Sequence, residues 1–311
     1  MEPTTWVSDA ARQHRFDVCN GDADGLCAVR QWRLHEPGDA VLVTGLKREI
    51  NLLERVPIDA AAEVLVCDLS LQRNRVALLR VLAAGVPVRY FDHHASGPNV
   101  PVHAGFEVHI DPSPQTCTSL LMDRHLGGRF RSWALVGAYG DNLGSVADEL
   151  ALASGFDATQ RTKLRQLGEA INYNAYGDSP SDVCIAPRAL YALMARHADP
   201  LQMLAREPIV DVIVRQREDD LKQADALTPY WQSDHARVCV LPDAPWSRRI
   251  IGGLANELAN AQPQQAQAVL KTRADGDFVV SVRAPVRAPH GANAFCARFG
   301  GAGRDSAAGI D

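Results

Sequence analysis

Long apolar runs are missing from this chain: nothing in its 311 residues approaches the roughly 20 needed to cross a bilayer, so no membrane helix is expected. The first fifteen residues, Met1 to Arg15, lack the basic-then-apolar order of a secretory leader, which makes the cytoplasm the expected compartment. A Cys-x-x-Cys pair is missing too. The seven cysteines (19, 27, 67, 117, 184, 239 and 296) are scattered and odd in number, which argues against a disulfide framework and a zinc knuckle. Several stand in apolar, strand-like segments and read as small buried residues. There is no basic surplus either: a net charge of −5 disfavours a surface coated throughout by nucleic acid. Internal repeats and low-complexity tracts are absent.

What is present is an ordinary globular composition, 46% hydrophobic and 22% charged, in a chain long enough for two domains. The charge is uneven. Residues 236–311 hold nine Lys+Arg against six Asp+Glu, or +3, which leaves 23 against 31, or −8, in residues 1–235. An acidic half joined to a mildly basic one suits a phosphorylated substrate that need not be long.

The first half alternates strand and helix. Strands are expected at 16–19, 41–44, 64–67 and 88–91. Helices follow the first through Leu26, Ala28, Val29 and Trp32, and the third through Val76, Leu79 and Ala83. This alternation predicts an α/β fold with a doubly wound parallel sheet. After Asp111 the periodicity turns mostly helical, with helices expected at 116–126, 133–147 (Asp141 partway along or at a break), 157–171, 187–196 and 208–227. The last of these is the expected connector. Beyond it come strands at 237–241, 266–272 and 278–283 and helices near 249–260 and 292–299, a smaller α/β unit. The expected division is a metal-binding domain over 14–200, a helical connector over 201–235 and a substrate-binding domain over 236–311.

Polar clusters sit where the apolar runs end. They are Asn20-Gly-Asp22-Ala-Asp24-Gly25, then Cys67-Asp68, Asp92-His93-His94 and Gly140-Asp141-Asn142. Strand carboxyl ends converge on one edge of a parallel sheet, where ligands bind. Four loops bearing oxygen and nitrogen donors there make a cage for two divalent cations. Each cluster also has a plain alternative: a turn with a capping aspartate, a helix cap, surface histidines, a helix kink.

The four clusters in this order resemble the DHH phosphoesterase superfamily across residues 15–145, in its RecJ-like and nanoRNase-like branches. Phe278 to Arg283 followed by Gly301-x-Gly303-x-x-x-Ala307-Ala308-Gly309 is similar to the DHH-associated C-terminal domain. The resemblance implies two manganese ions, with magnesium as a lesser candidate. Asp22 and Asp68 would hold one and Asp24, Asp68, His93 and Asp141 the other. It implies His94 at the phosphate, beside Asp92 and the bridging Asp68 as catalytic groups. Arg283, Gly301, Gly303 and Arg304 would bind substrate. Two positions depart from the family: Asn20, a neutral candidate ligand where many members have His or Asp, and Arg304, where the tail motif usually has His.

The expected activity is manganese-dependent hydrolysis of phosphoester bonds in short oligonucleotides or small nucleotides. Alternatives are a pyro- or polyphosphatase using the same cage, or a nucleotide- or RNA-binding protein without catalysis. Long single strands call for a basic groove lined with aromatics. Only Trp246, Phe278, Phe295 and Phe299 are aromatic after residue 235, and most of them are expected in the core. Partners are therefore short single-stranded nucleic acid or a small phosphorylated nucleotide, no membrane, and a second copy of the chain in a homodimer.

Overall fold

Period-two alternation in the first strands sends successive side chains to opposite faces, and each face has its own layer of helices. A computed structural model describes residues 14–273 and 275–310. The elements run β1 (His14–Asn20), α1 (Ala23–His35), β2 (Ala40–Gly45), β3 (Ala61–Cys67), α2 (Leu71–Ala83), β4 (Val88–Asp92) and β5 (Phe106–Ile110). Helices α3 (Thr118–His125), α4 (Arg131–Gly140), α5 (Gly144–Ala153), α6 (Ala158–Asn174), α7 (Pro187–Met194), α8 (Pro200–Arg206) and α9 (Ile209–Asp225) follow. The last part is β6 (Trp231–Gln232), β7 (Ala236–Leu241), α10 (Pro245–Ala261), β8 (Ala266–Thr272), β9 (Phe278–Arg283), α11 (Ala292–Ala297), β10 (Ala302–Gly303) and β11 (Ala307–Ile310).

The first sheet is wholly parallel, in the order β2-β1-β3-β4-β5. Phe16, Val18, Val64, Val66, Val88 and Tyr90 face one way, onto a core completed by α2 and the two short 3-10 turns at 52–55 and 58–60. Cys19, Leu65, Cys67 and Phe91 face the other, under α1, α3, α4 and α6. Covered on both faces, the sheet is doubly wound. All seven cysteines are free thiols.

The second sheet is mixed, in the order β10-β11-β9-β8-β7-β6, with only β7 and β8 parallel. Helix α10 lies on β8 and β9, and α9 packs between α6 and α10. A buried network fixes that junction. Arg249 donates to both oxygens of Asp220 (2.7 and 3.0 Å), which also accepts from the Tyr173 hydroxyl at 2.6 Å. Buried Lys271 pairs with Asp178 alongside it. Breaking such a network on one side leaves an uncompensated buried charge, so it holds the second sheet in one position against the first.

Several expectations change. The segment 133–147, expected to carry Asp141 partway along a helix or at a break, has the break: α4 ends at Gly140 with Asp141 capping it, and Asn142 at φ +62° turns the chain into α5. Helix α2 exists, but Val76, Leu79 and Ala83 lie on its outer face, while Leu71, Ala77, Leu78, Val81 and Leu82 fill the core. Both sets have helical spacing, and the larger one is buried. Strand β5 adds to the expected set: Phe106, Val108 and Ile110 alternate with Glu107 and His109 at one edge of the sheet, and all five side chains are half-buried. Phe278, Phe295 and Phe299 are not core residues: they are 43, 47 and 58% exposed. Among the described residues, no helix is long and apolar enough to cross a membrane.

Candidate active site

Strand order reverses at β1: α1 after β1 and α2 after the neighbouring β3 lie on opposite faces of the sheet. The crevice beyond the β1 and β3 carboxyl ends is therefore a topological switch point. Asn20 ends β1 and Asp22 follows it, and Asp68 follows β3, with Cys19 and Cys67 in register. Asp92 ends β4. Gly25 lets α1 start this close to the sheet, since a Cβ there would sit 2.4 Å from the Asn20 carbonyl oxygen.

The carboxylates are buried and individually positioned. Asp22 caps α1, accepting from the Gly25 N–H at 3.0 Å, and its other oxygen pairs with Lys47. Asp24 accepts from the backbone N–H groups of Thr118 (2.8 Å) and Ser119 (2.7 Å) at the start of α3. Asp68 has φ +55°, a left-handed conformation that costs a non-glycine residue on the order of 1 kcal/mol, and its N–H donates to the Phe91 carbonyl at 3.0 Å. Strain held at a buried carboxylate marks a site rather than a turn. Asp141 accepts from Arg304 at 3.0 and 3.4 Å.

His93 Nδ1 lies 3.0 Å from the Thr116 carbonyl oxygen. A carbonyl only accepts, so Nδ1 carries the proton and the Nε2 lone pair faces Asp68 Oδ1 at 3.3 Å and Asp24 Oδ2 at 3.8 Å. Arg304 Nη1, 3.1 Å from Nδ1, is then a neighbour and not a donor to it. Two carboxylate oxygens and an imidazole lone pair facing one another suit a positive charge, either the proton that Asp68 retains or a metal ion that displaces it. Backbone locking of the distal imidazole nitrogen is also how proteins orient a metal-binding histidine. His94 Nδ1 sits 2.7 Å from Asp92 Oδ1, while the buried Asp92 Oδ2 has no hydrogen-bond partner. The donor set, carboxylate oxygen with one imidazole nitrogen, fits Mn²⁺ or Mg²⁺.

Electrostatics divides the carboxylates. Burial, with Asp22 and Asp24 beside it, pushes the Asp68 carboxyl well above the usual range. Burial also acts on Asp141, but the Arg304 guanidinium outweighs it, with Lys47, and holds Asp141 at about 2. Asp22 is likewise held low against its burial by Lys47 and the Gly25 N–H.

Of the expected site residues, the structure brings together Asp22, Asp24, Asp68, Asp92, His93, His94, Asp141 and Arg304. Asn20 lines the same crevice but spends its amide on the backbone, accepting from the Asp22 N–H (3.3 Å) and donating to the Lys47 carbonyl (3.1 Å). Arg283 sits between β9 and α10, donating to Asn256 Oδ1 at 2.6 Å, Ser281 Oγ and the Val282 carbonyl, and touches no cage carboxylate. The Gly301 N–H is taken by the Cys296 carbonyl, and a Cβ there would sit 2.2 Å from the Gly309 carbonyl oxygen. Gly303 pairs with Ala308 in the β10–β11 hairpin, whose turn presents Arg304. Lys47, Thr116, Thr118 and Ser119 are the contributors that sequence reasoning missed. A second cluster, Glu107, His109 and His125, gathers at the β5 edge. Both Glu107 oxygens are already engaged there, by His109 at 2.8 Å and Arg89 at 2.7 Å.

No protein-family model matches the chain, and no curated protein matches it. Among solved structures, manganese-bound RecJ from Thermus thermophilus superimposes with a TM-score of 0.60 at 19% identity, over 95% of this chain and 49% of that one. The fold is that of RecJ. A second manganese-bound RecJ exonuclease gives 0.58 at 19% identity, over 97% and 87% of the two chains. CDC45 from Entamoeba histolytica gives 0.52 at 9% identity, over 96% and 91%. The chain spans about half the length of the Thermus RecJ.

One consequence is structural. Asp24→Ala strips the acceptor from two buried N–H groups at the α3 N-terminus, and is expected to cost about 2–4 kcal/mol. Asp24→Asn, which keeps one acceptor oxygen, should lose less. Chemical denaturation without added metal checks this; equal midpoints for the two variants would show that capping contributes nothing.

Proposed function

We propose that this chain is a divalent-cation-dependent phosphoesterase that cleaves short single-stranded nucleic acid. The observation that carries the reading is the convergence of four buried carboxylates and the His93 Nε2 lone pair at the switch point, with Arg304 arriving from the second sheet. Support comes from the RecJ fold, seen in two structures with manganese bound.

In this reading Asp24, Asp68, His93 and Asp141 hold the cation, with Asp22 paired to Lys47 at the side of the cage and Asn20 outside it shaping the loop. A bound ion supplies Lewis-acid polarisation of a phosphoryl oxygen and acidifies water. His94, its Nδ1–H fixed by Asp92 and its side chain about one-third exposed, turns Nε2 to the crevice mouth to contact the phosphate or protonate the leaving oxygen. Arg304 binds phosphate, and Arg283 braces the β9–α10 floor behind it. The division at 14–200, 201–235 and 236–311 follows, with α9 as connector between the cage and the Arg304 hairpin.

The exposed Phe295 and Phe299 rings, with centroids 5.4 Å apart on α11 and the turn after it, favour a base-bearing substrate over pyrophosphate. The test is hydrolysis with Mn²⁺ of a dinucleotide, a five-nucleotide strand, a long single strand, a cyclic dinucleotide, 3′-phosphoadenosine 5′-phosphate and pyrophosphate. Cleavage of the short strands, lost on chelation, is expected. Cleavage of pyrophosphate alone would replace the reading by a pyrophosphatase. Strand binding without cleavage of anything would replace it by a binding protein.

A further inference from the structure

Two of the protein's own cations stand inside the carboxylate cage. Lys47 follows β2, the first-sheet strand whose end carries no acidic or histidine motif. Its backbone is tied on both sides, the N–H to the Ala175 carbonyl at 2.9 Å and the carbonyl to the Asn20 side-chain amide at 3.1 Å. Its ammonium pairs with Asp22, which is 1% exposed, and Asp68 and Asp141 also act on its charge. Arg304 enters from the other side onto Asp141, with Asp68 and Asp24 acting on it in turn.

We infer that Lys47 takes the place of one of the two divalent ions that such a cage is built around, leaving a single ion site among Asp24, Asp68, His93 and Asp141. The inference rests on the hydrolase reading above and narrows it. Charge balance is the first argument. With Asp68 ionised against a bound ion, the four carboxylates Asp22, Asp24, Asp68 and Asp141 carry −4, and Lys47 and Arg304 return +2. The remainder of −2 is neutralised by one divalent ion, whereas two ions would leave the buried crevice with a net charge of +2 before substrate arrives. Geometry is the second argument. Asp22 gives one oxygen to the Gly25 N–H and the other to the Lys47 ammonium, whereas His93 Nε2, Asp68 Oδ1 and Asp24 Oδ2 face one another without a protein cation between them. Asn20 is the third. A neutral amide that donates to the Lys47 carbonyl holds the lysine loop in place and adds no anion to a second ion site.

The experiment counts ions in the purified full-length chain, by calorimetric titration with Mn²⁺ and by electron paramagnetic resonance of the loaded protein. Wild type is expected to bind one ion per chain and to give the resolved sextet of an isolated Mn²⁺. Lys47→Met, which removes the ammonium at similar volume, should bind two, with a spectrum broadened by coupling between ions about 3.5–4 Å apart. Asp22→Asn should leave the count at one and the affinity within about tenfold, because Asp22 is matched to Lys47 and not to the ion. That variant decides the matter if Lys47→Met does not fold. Two ions in wild type, loss of an ion in Asp22→Asn, or a folded Lys47→Met that still binds one would overturn the inference and leave the hydrolase reading standing. No ion in wild type would overturn both.

Discussion

Asp68→Asn is expected to abolish cation-dependent hydrolysis while raising the thermal midpoint of the metal-free protein. The two effects have one origin. Asp68 lies buried between Asp22 and Asp24, at φ +55°, with its Oδ1 3.3 Å from His93 Nε2. Asparagine keeps the size and tolerates the left-handed conformation, so the substitution removes charge without new backbone strain. Loss of the central carboxylate should lower the hydrolysis rate by at least about a thousandfold, on the order of 4 kcal/mol of transition-state stabilisation. The stability gain follows from linkage. The native Asp68 carboxyl is raised above its unfolded value of 3.8, so as pH rises past about 4 the unfolded chain releases a proton that the native protein keeps. Wild-type stability therefore falls with rising pH until the native value is passed, and the asparagine variant escapes that fall. The gain should be near zero at pH 4 and reach roughly 1–3 kcal/mol at pH 8, at about 2–4 °C per kcal/mol in a chain of this size. Thermal melts in chelator at both pH values, beside hydrolysis assays, check this. A gain that did not change with pH would mean that like-charge crowding is not what Asp68 suffers.

The sequence showed the cage well and its cations poorly, for a definite reason. Each carboxylate follows an apolar run, so strand and ligand announce each other: Val64 to Cys67 then Asp68, Val88 to Phe91 then Asp92. Lys47 ends a strand just as Asp68 does, but a single lysine after Val41 to Gly45 matches no pattern, and its meaning comes only from the fold, which sets it on Asp22. The contact between Arg304 and Asp141 joins residues 163 apart, a pairing no local periodicity encodes. Phe295 on α11 and Phe299 just beyond it carry an ambiguity in spacing. Ala292 with Cys296, and Phe295 with Phe299, are both i,i+4 pairs, and the larger pair is the natural candidate for burial. The smaller pair is buried because the glycine-containing β10–β11 hairpin comes too close to admit a ring.

Arg304→His should convert a site of constant charge into one that titrates. Arginine stays protonated throughout the working range, and its two contacts to Asp141 (3.0 and 3.4 Å) hold that carboxylate at about 2. The clamp is therefore complete above the unfolded carboxylate range and fails only as pH falls toward 2, far from any assay condition. Histidine at 304 would carry charge only below about pH 6.5, so substrate affinity in the variant should fall as pH rises through 6–7.5 while wild type stays level. Arg304→Ala should lose about a hundredfold in kcat/KM at every pH, near 3 kcal/mol, the scale of a charged donor lost from a phosphate. Arg304→Lys should recover only part of this, because an ammonium cannot serve Asp141 and a phosphate with one planar fork. A kcat/KM for Arg304→Ala within about threefold of wild type, less than 1 kcal/mol, would remove Arg304 from substrate binding and leave it as a strut between the two sheets. The histidine variant separates those roles. A strut that becomes neutral changes stability with pH, whereas a phosphate ligand that becomes neutral changes KM.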